Sequence, residues 1–144
     1  AGMGLTRDAV PRGMACFDQA KAWLDRYFSG RDPGFLPRMH CTGSAFCQRV
    51  AAIMCSIPYG TTVTYGWIAR QIARERGLEK MSAQAVGGAV GHNPVSIIIP
   101  CHRVVGADGS LTGYAGGLSR KRALLRLEGV DMSELPVPAK GEAR

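Results

Sequence analysis

Glycines and prolines cut this chain into short lengths, and that punctuation limits what it can become. Gly30, the Pro58-Tyr59-Gly60 triplet, Gly77 and Gly129 each stop an apolar pattern of helical period, so only helices of a few turns are expected. Phe17, Ala20, Trp23, Leu24, Tyr27 and Phe28 recur at that spacing up to Gly30. Phe46, Val50, Ile53, Met54 and Ile57 share one face of a second helix. A third is predicted from Thr64 as N-cap, turning Ile68, Ala69 and Ile72 inward before Gly77. A fourth starts at Ser82 and carries Ala85, Val86, Ala89 and Val90, and a last one runs from about Ser119 to Glu128. The pattern predicts a mainly α fold.

Between the helices the signals are weaker. Residues 1–14 show no period, and Gly30 to Gly43, with Pro33, Gly34 and Pro37, reads as a linker. After Asn93-Pro94, the run Val95 to Ile99 reads as a buried strand or extended segment. Val104-Val105 and Leu111-Thr112 flank a Gly106 to Ser110 turn as a short hairpin or wing. The third and fourth helices follow each other closely, which is compatible with a helix-turn-helix. Gly87 and Gly88 inside the fourth each cost about 1 kcal/mol relative to Ala. Such a cost calls either for close approach by another backbone or ligand, or for tight helix packing.

The net charge is +7, with basic residues recurring as Arg70, Arg74, Arg76 and Lys80 and again as Arg120, Lys121, Arg122 and Arg126. That balance suits a polyanionic partner, whose counterions Lys and Arg displace, although it also suits a merely solvated surface. No apolar run approaches a membrane span and no signal-peptide pattern opens the chain. Five cysteines, an odd number without CxxC spacing, argue against a disulfide framework and a zinc site and for a reducing, cytoplasmic setting. A free thiol persists there.

The stretch Ile99-Pro100-Cys101-His102-Arg103-Val104-Val105 concentrates chemistry. A thiol attacks as thiolate, burial opposes that ionisation, and a neighbouring imidazole backed by a carboxylate can take the proton. On a flat strand Cys101 and His102 would face opposite ways, but Pro100 favours a turn that brings them to one side. Alone, the tripeptide is weak: a buried Cys is commonly an inert hydrophobe and the His beside it a structural group.

Ala85-Val86-Gly87-Gly88-Ala89-Val90, Asn93-Pro94 and Ile97 to Val105, taken in order, strongly resemble the O6-alkylguanine-DNA alkyltransferases, or methylated-DNA–protein-cysteine methyltransferases. Tyr114-Ala115-Gly116-Gly117-Leu118, Leu124-Leu125 and Glu128-Gly129 extend the likeness, as do Ile57 to Gly60 and Thr64-Tyr65-Gly66, so that it covers roughly residues 42–130. The resemblance implies a winged-helix-like DNA-binding domain and a single, irreversible transfer of an alkyl group from guanine O6 to Cys101. It assigns His102 as the group that draws off the thiol proton through a water, Glu128 as the carboxylate behind it, and Asn93 as the brace beside them. Tyr65 matches the tyrosine that helps turn the nucleotide out and protonates the base. Val90, Val104, Tyr114 and Ala115 fall at the guanine pocket. Tyr65, Gly66, Gln84, Ala85 and Gly88 fall on the DNA face, whose recognition helix enters the minor groove. The implied partner is double-stranded DNA carrying O6-alkylguanine, met by a monomer without metal, organic cofactor or membrane. Arg103 is expected to be a structural ion-pair partner, and His40 and His92 surface residues.

Gln84 stands where many members carry the arginine that fills the hole left by the extruded base, and Ala115 where serine is common. The domain plan expected is an arm, helix and linker over 1–41, an active-site and DNA-binding domain over 42–130, and a flexible tail over 131–144. The N-terminal part has room only for a remnant of the family's β-rich domain. Two rival functions are a flipped-base sensor that does not react and a winged-helix regulator with Cys101 as redox switch. Related alkyltransferase-like sensors carry tryptophan at the cysteine position, and Cys101 disfavours that reading.

Overall fold

The computed structural model describes residues 16–39, 42–93, 95–109, 111, 114 and 117–131, to which every structural statement refers. Helices α1 (Cys16–Phe28), α2 (Ala45–Cys55), α3 (Tyr65–Arg76), α4 (Ala83–Gly91) and α5 (Leu118–Leu127) make the fold mainly helical. Local chemistry sets their ends. The hydroxyls of Ser44, Thr64 and Ser82 accept from the amides of Cys47, Trp67 and Ala85 at 3.1, 3.0 and 3.1 Å, satisfying donors that a helix start leaves open. Gly77 closes α3 in the left-handed region, at φ 66°, where a side chain is disfavoured.

Val50, Ile53 and Met54 of α2, Ile68 and Ile72 of α3, and Val86 and Val90 of α4 share one buried core. Trp23 and Tyr27 of α1 and Phe35 just beyond it belong to the same core. A second, smaller cluster joins Val105, Leu111, Leu118 and Leu125. Helices α3 and α4 pack on each other, as a helix-turn-helix requires, and α4 also packs on α2. Arg49 and Glu75 add an exposed ion pair between α2 and α3.

One expectation gains a partner and another changes. Strand β2 (Val104–Val105) pairs with β1 (Val63–Thr64) in parallel, Val63 opposite Val104, a partner that the hairpin reading did not include. Both residues of β2 are buried, which suits a parallel pair covered on both faces better than an exposed wing. Thr112, the other proposed arm, lies outside the described residues. The pairing joins the start of α3 to the segment bearing Cys101.

The run Val95–Ile99 is a folded-back loop, not a strand. The Ile98 amide donates to the Ser96 carbonyl and the Ile99 amide to that of Val95, at 2.9 and 3.0 Å. Ile97 lies at φ 76°, an outlier for a β-branched residue that stores on the order of 1–3 kcal/mol. An apolar run alone does not separate these outcomes.

Candidate active site

A 3₁₀ turn over Cys101–Arg103, entered through Pro100, presents Cys101 and His102 from one short segment. Cys101 is 8% exposed and His102 fully buried. Asn93 closes the preceding loop at both ends: its Nδ2 donates to the Ile99 carbonyl at 2.7 Å, and its Oδ1 accepts from the Val95 amide at 2.9 Å. That brace fixes the backbone that feeds the turn.

Glu128, just past α5, meets five hydrogen-bond donors. The His102 Nε2 lies 2.7 Å from Oε2, and the Tyr27 hydroxyl donates to the same oxygen at 2.6 Å. Arg103 donates through Nε to Oε1 at 2.9 Å and through Nη2 to Oε2 at 3.0 Å. The Gly60 amide completes the set on Oε1 at 2.9 Å. Gly60 lies at φ 80°, and a Cβ there would stand 3.2 Å from the Glu128 carbonyl oxygen, so the Pro58-Tyr59-Gly60 stop also shapes the site. Arg103 further donates to the Ile57 carbonyl at 2.8 Å, which makes it a buried structural partner.

These contacts decide protonation. Burial acts to raise the Glu128 carboxyl, but hydrogen bonds from His102, Arg103 and Tyr27 outweigh it and hold the group at about 2. With Tyr27 committed as donor to Oε2, the short contact to His102 requires the proton on Nε2. Burial lowers the His102 pKa despite Glu128, so the ring rests neutral. Among the described residues its Nδ1, buried, has no hydrogen-bond partner, and it keeps a free lone pair. Burial pushes the Cys101 thiol up, opposed by hydrogen bonding from Asn93 and Ser96 and by the Lys121 ammonium. The site therefore holds a protonated thiol beside a neutral base.

Lys121 corrects the reading of the second basic cluster as surface charge. It is fully buried, and its ammonium donates to the Val104 carbonyl at 2.7 Å. Burial brings its pKa down to about 8. The signal was present, since Leu118, Lys121 and Leu125 fall on one face of α5. Tyr27 was also missed as a site residue, because helix α1 was read only as part of an arm.

Of the proposed pocket residues, Val90, Val104 and Tyr114 are buried. Burial, and after it Cys101, push the Tyr114 phenol up to about 12. Ala115 lies outside the described residues, as does His40. Tyr65 and Gly66 open α3 half-buried, while Gln84, Ala85 and Gly88 are exposed along α4, as is His92 after it. A Cβ on Gly87 would come no nearer than 4.0 Å to the Tyr65 ring, and one on Gly88 would meet nothing within 4 Å. Packing among the described residues therefore does not require these glycines. A cleft of about 450 Å³ between α3 and the start of α4 is edged by Arg70, Arg74 and Lys80. Among the described residues no cluster of three metal-ligating side chains occurs, and no helix is long and apolar enough to cross a membrane.

Residues 45–130 match the family model described as 6-O-methylguanine DNA methyltransferase, DNA binding domain. The methylated-DNA–protein-cysteine methyltransferase of Mycobacterium tuberculosis is 50% identical over 112 residues, 78% of this chain and 65% of that protein. The protein of that name from Methanosarcina barkeri is 46% identical over 112 residues, 78% of this chain and 68% of the relative. The crystal structure of Mycobacterium tuberculosis OGT in complex with DNA superposes with a TM-score of 0.68 at 47% identity, covering 83% of this chain and 70% of that one. The chain thus spans about two thirds of the length of the curated relatives it matches, 65% for the first of them.

Proposed function

The chain belongs to the 6-O-methylguanine DNA methyltransferase family, and from that premise we propose that it repairs DNA by moving the alkyl group of O6-alkylguanine onto Cys101, once per molecule. The observation that carries this reading is the neutral His102, tied at Nε2 to an ionised Glu128 and unpartnered at Nδ1, in the same turn as the buried thiol.

A base inside the duplex is out of a side chain's reach, so the damaged nucleotide turns out of the stack at a cost of a few kcal/mol. The small-residue face of α4, with Gln84, Ala85 and Gly88 exposed, lies against the minor groove, and Tyr65 and Gly66 at the start of α3 flank it. Gln84 occupies the space the base leaves. Val90, Val104, Tyr114 and Ala115 line the purine pocket.

Within that pocket, the Cys101 proton passes through a water to Nδ1 of His102, whose Nε2–H remains on Glu128. The imidazolium that forms is stabilised by the carboxylate. The thiolate attacks the alkyl carbon in line, forming a C–S bond as the C–O6 bond breaks. Negative charge released onto guanine is met by the Tyr65 hydroxyl, which gives it a proton, and by a backbone N–H near Ala115. The resulting thioether has no good leaving group, so the protein acts once. A monomer in the cytoplasm, with helix α1 packed into the same core as the 42–130 working domain and a tail beyond it, completes the reading.

Incubation with a duplex oligonucleotide containing O6-methylguanine, followed by intact-mass measurement, tests it. One methyl group gained per molecule, absent in Cys101→Ala, is expected. Tight binding without mass gain would point to a damage sensor, and reversible oxidation with sequence-specific binding to a redox regulator.

A further inference from the structure

Helix α1 precedes the matched stretch, 45–130, yet it sends one side chain into the centre of the relay. Tyr27 is fully buried; its hydroxyl is 2.6 Å from Glu128 Oε2 and 3.3 Å from His102 Nε2. The phenol ring is held by a stack on Trp23, centroids 5.0 Å apart and planes 11° off parallel, and by edge contacts with Tyr59 and His102 at 6.0 and 6.3 Å. A buried tyrosine hydroxyl needs a partner, and this one has taken the oxygen on which the imidazole rests.

We propose that Tyr27 is a positioning residue for alkyl transfer, anchoring the Glu128 carboxylate so that His102 presents Nδ1 as the base toward Cys101. The inference rests on the alkyl-transfer reading but concerns a residue that the motif-bearing segment does not contain.

Three features support it. The longer 3.3 Å contact to Nε2 makes Glu128, not His102, the acceptor of the hydroxyl proton. The donated bond draws negative charge from Oε2 and so limits how strongly Glu128 favours imidazolium over neutral imidazole. Other charges facing His102 come from Arg103 beside it and Lys121 on α5, both of which oppose its protonation. Tyr27 thus acts with them to keep the ring neutral until a proton arrives from the thiol.

Tyr27→Phe retains the ring and its stack on Trp23 while deleting the donor. Oε2 then faces His102 with more of its charge. The His102 titration, followed by NMR of the ring carbon-bound protons, is expected to move up by roughly half to one pH unit. The acid limb of methyl transfer from an O6-methylguanine duplex moves up with it, because a ring already protonated accepts nothing. Ile72→Val, in the core face of α3, serves as the packing control: it lowers the melting temperature but leaves the His102 titration in place. An unmoved titration in Tyr27→Phe, or an equal shift in both variants, overturns the proposal. Long-range proton–nitrogen NMR of the unaltered protein tests it without any variant, since a His102 proton on Nδ1 is incompatible with the role assigned to Tyr27. Should the unaltered protein transfer no methyl group while the titration moves as stated, the alkyl-transfer reading fails and the anchoring role stands.

Discussion

Replacing Glu128 by Gln preserves shape and removes the charge on which the site is built. Four groups, Tyr27, His102, Arg103 and Gly60, donate to the carboxylate, and the side chain has no exposed surface. An amide offers one acceptor oxygen and turns an NH2 toward donors, so at least one buried donor loses its partner. Arg103 also loses its counterion while 6% exposed. Breaking a buried ion pair by removing one member costs about 3–5 kcal/mol, against a total stability of about 5–15 kcal/mol for an ordinary domain. For a chain of this size the melting temperature should fall by on the order of 10–20 °C. Thermal and urea unfolding at neutral pH read this directly, with the urea slope checked for constancy.

The same variant carries a pH signature. The carboxyl titrates at about 2 when folded and near an ordinary 4.5 when unfolded. Its stabilisation is therefore complete above pH 4.5 and drains away as pH falls through 2. The difference amounts to about 3 kcal/mol. The wild-type and Glu128→Gln stabilities should converge on acidification. A loss below 1 kcal/mol at neutral pH, or curves that stay parallel, would refute the view that this carboxylate holds the site together.

Gly88→Ala should raise stability by up to about 1 kcal/mol, since the added methyl meets open space in a helix, yet weaken duplex binding; unfolding and fluorescence anisotropy measure the two, and unchanged binding would remove α4 from the DNA face. Lys121→Met should slow alkylation of Cys101 by raising its thiol pKa, read from the pH dependence of reaction with iodoacetamide. Because the buried ammonium titrates at about 8 instead of 10.5, wild-type stability should also rise relative to this variant between pH 8 and 10. Gln84→Arg should speed repair of an O6-methylguanine duplex by filling the extrusion gap better, and an unchanged rate would count against an intercalating role for position 84.

Local chemistry was the legible part of this protein. Thr64 and Ser82 act as caps, and Gly77 as a stop, through bonds spanning three or four residues, which a sequence displays openly. Cys101, His102 and Glu128 were recognisable from the order of motifs, and the structure brings the last two into contact across 26 residues. The parallel partner of Val104–Val105 lies some forty residues back, and nothing near Gly106 announces it. Tyr27 meets Glu128 across 101 residues; its one sequence signal was a hydroxyl on an apolar helix face, which demands a buried acceptor. Lys121 shows the opposite: its charge points to the surface, while its place in the helical period of α5 puts it in the core.

The most direct test is a titration of the protein with an excess of O6-methylguanine duplex, followed by peptide mapping of the methyl group. A plateau at one restored guanine per protein molecule is expected, with the methyl on the Cys101 sulfur as a stable thioether. Continued turnover, or a methyl found on Cys47 or Cys55 with Cys101 unmodified, would contradict it.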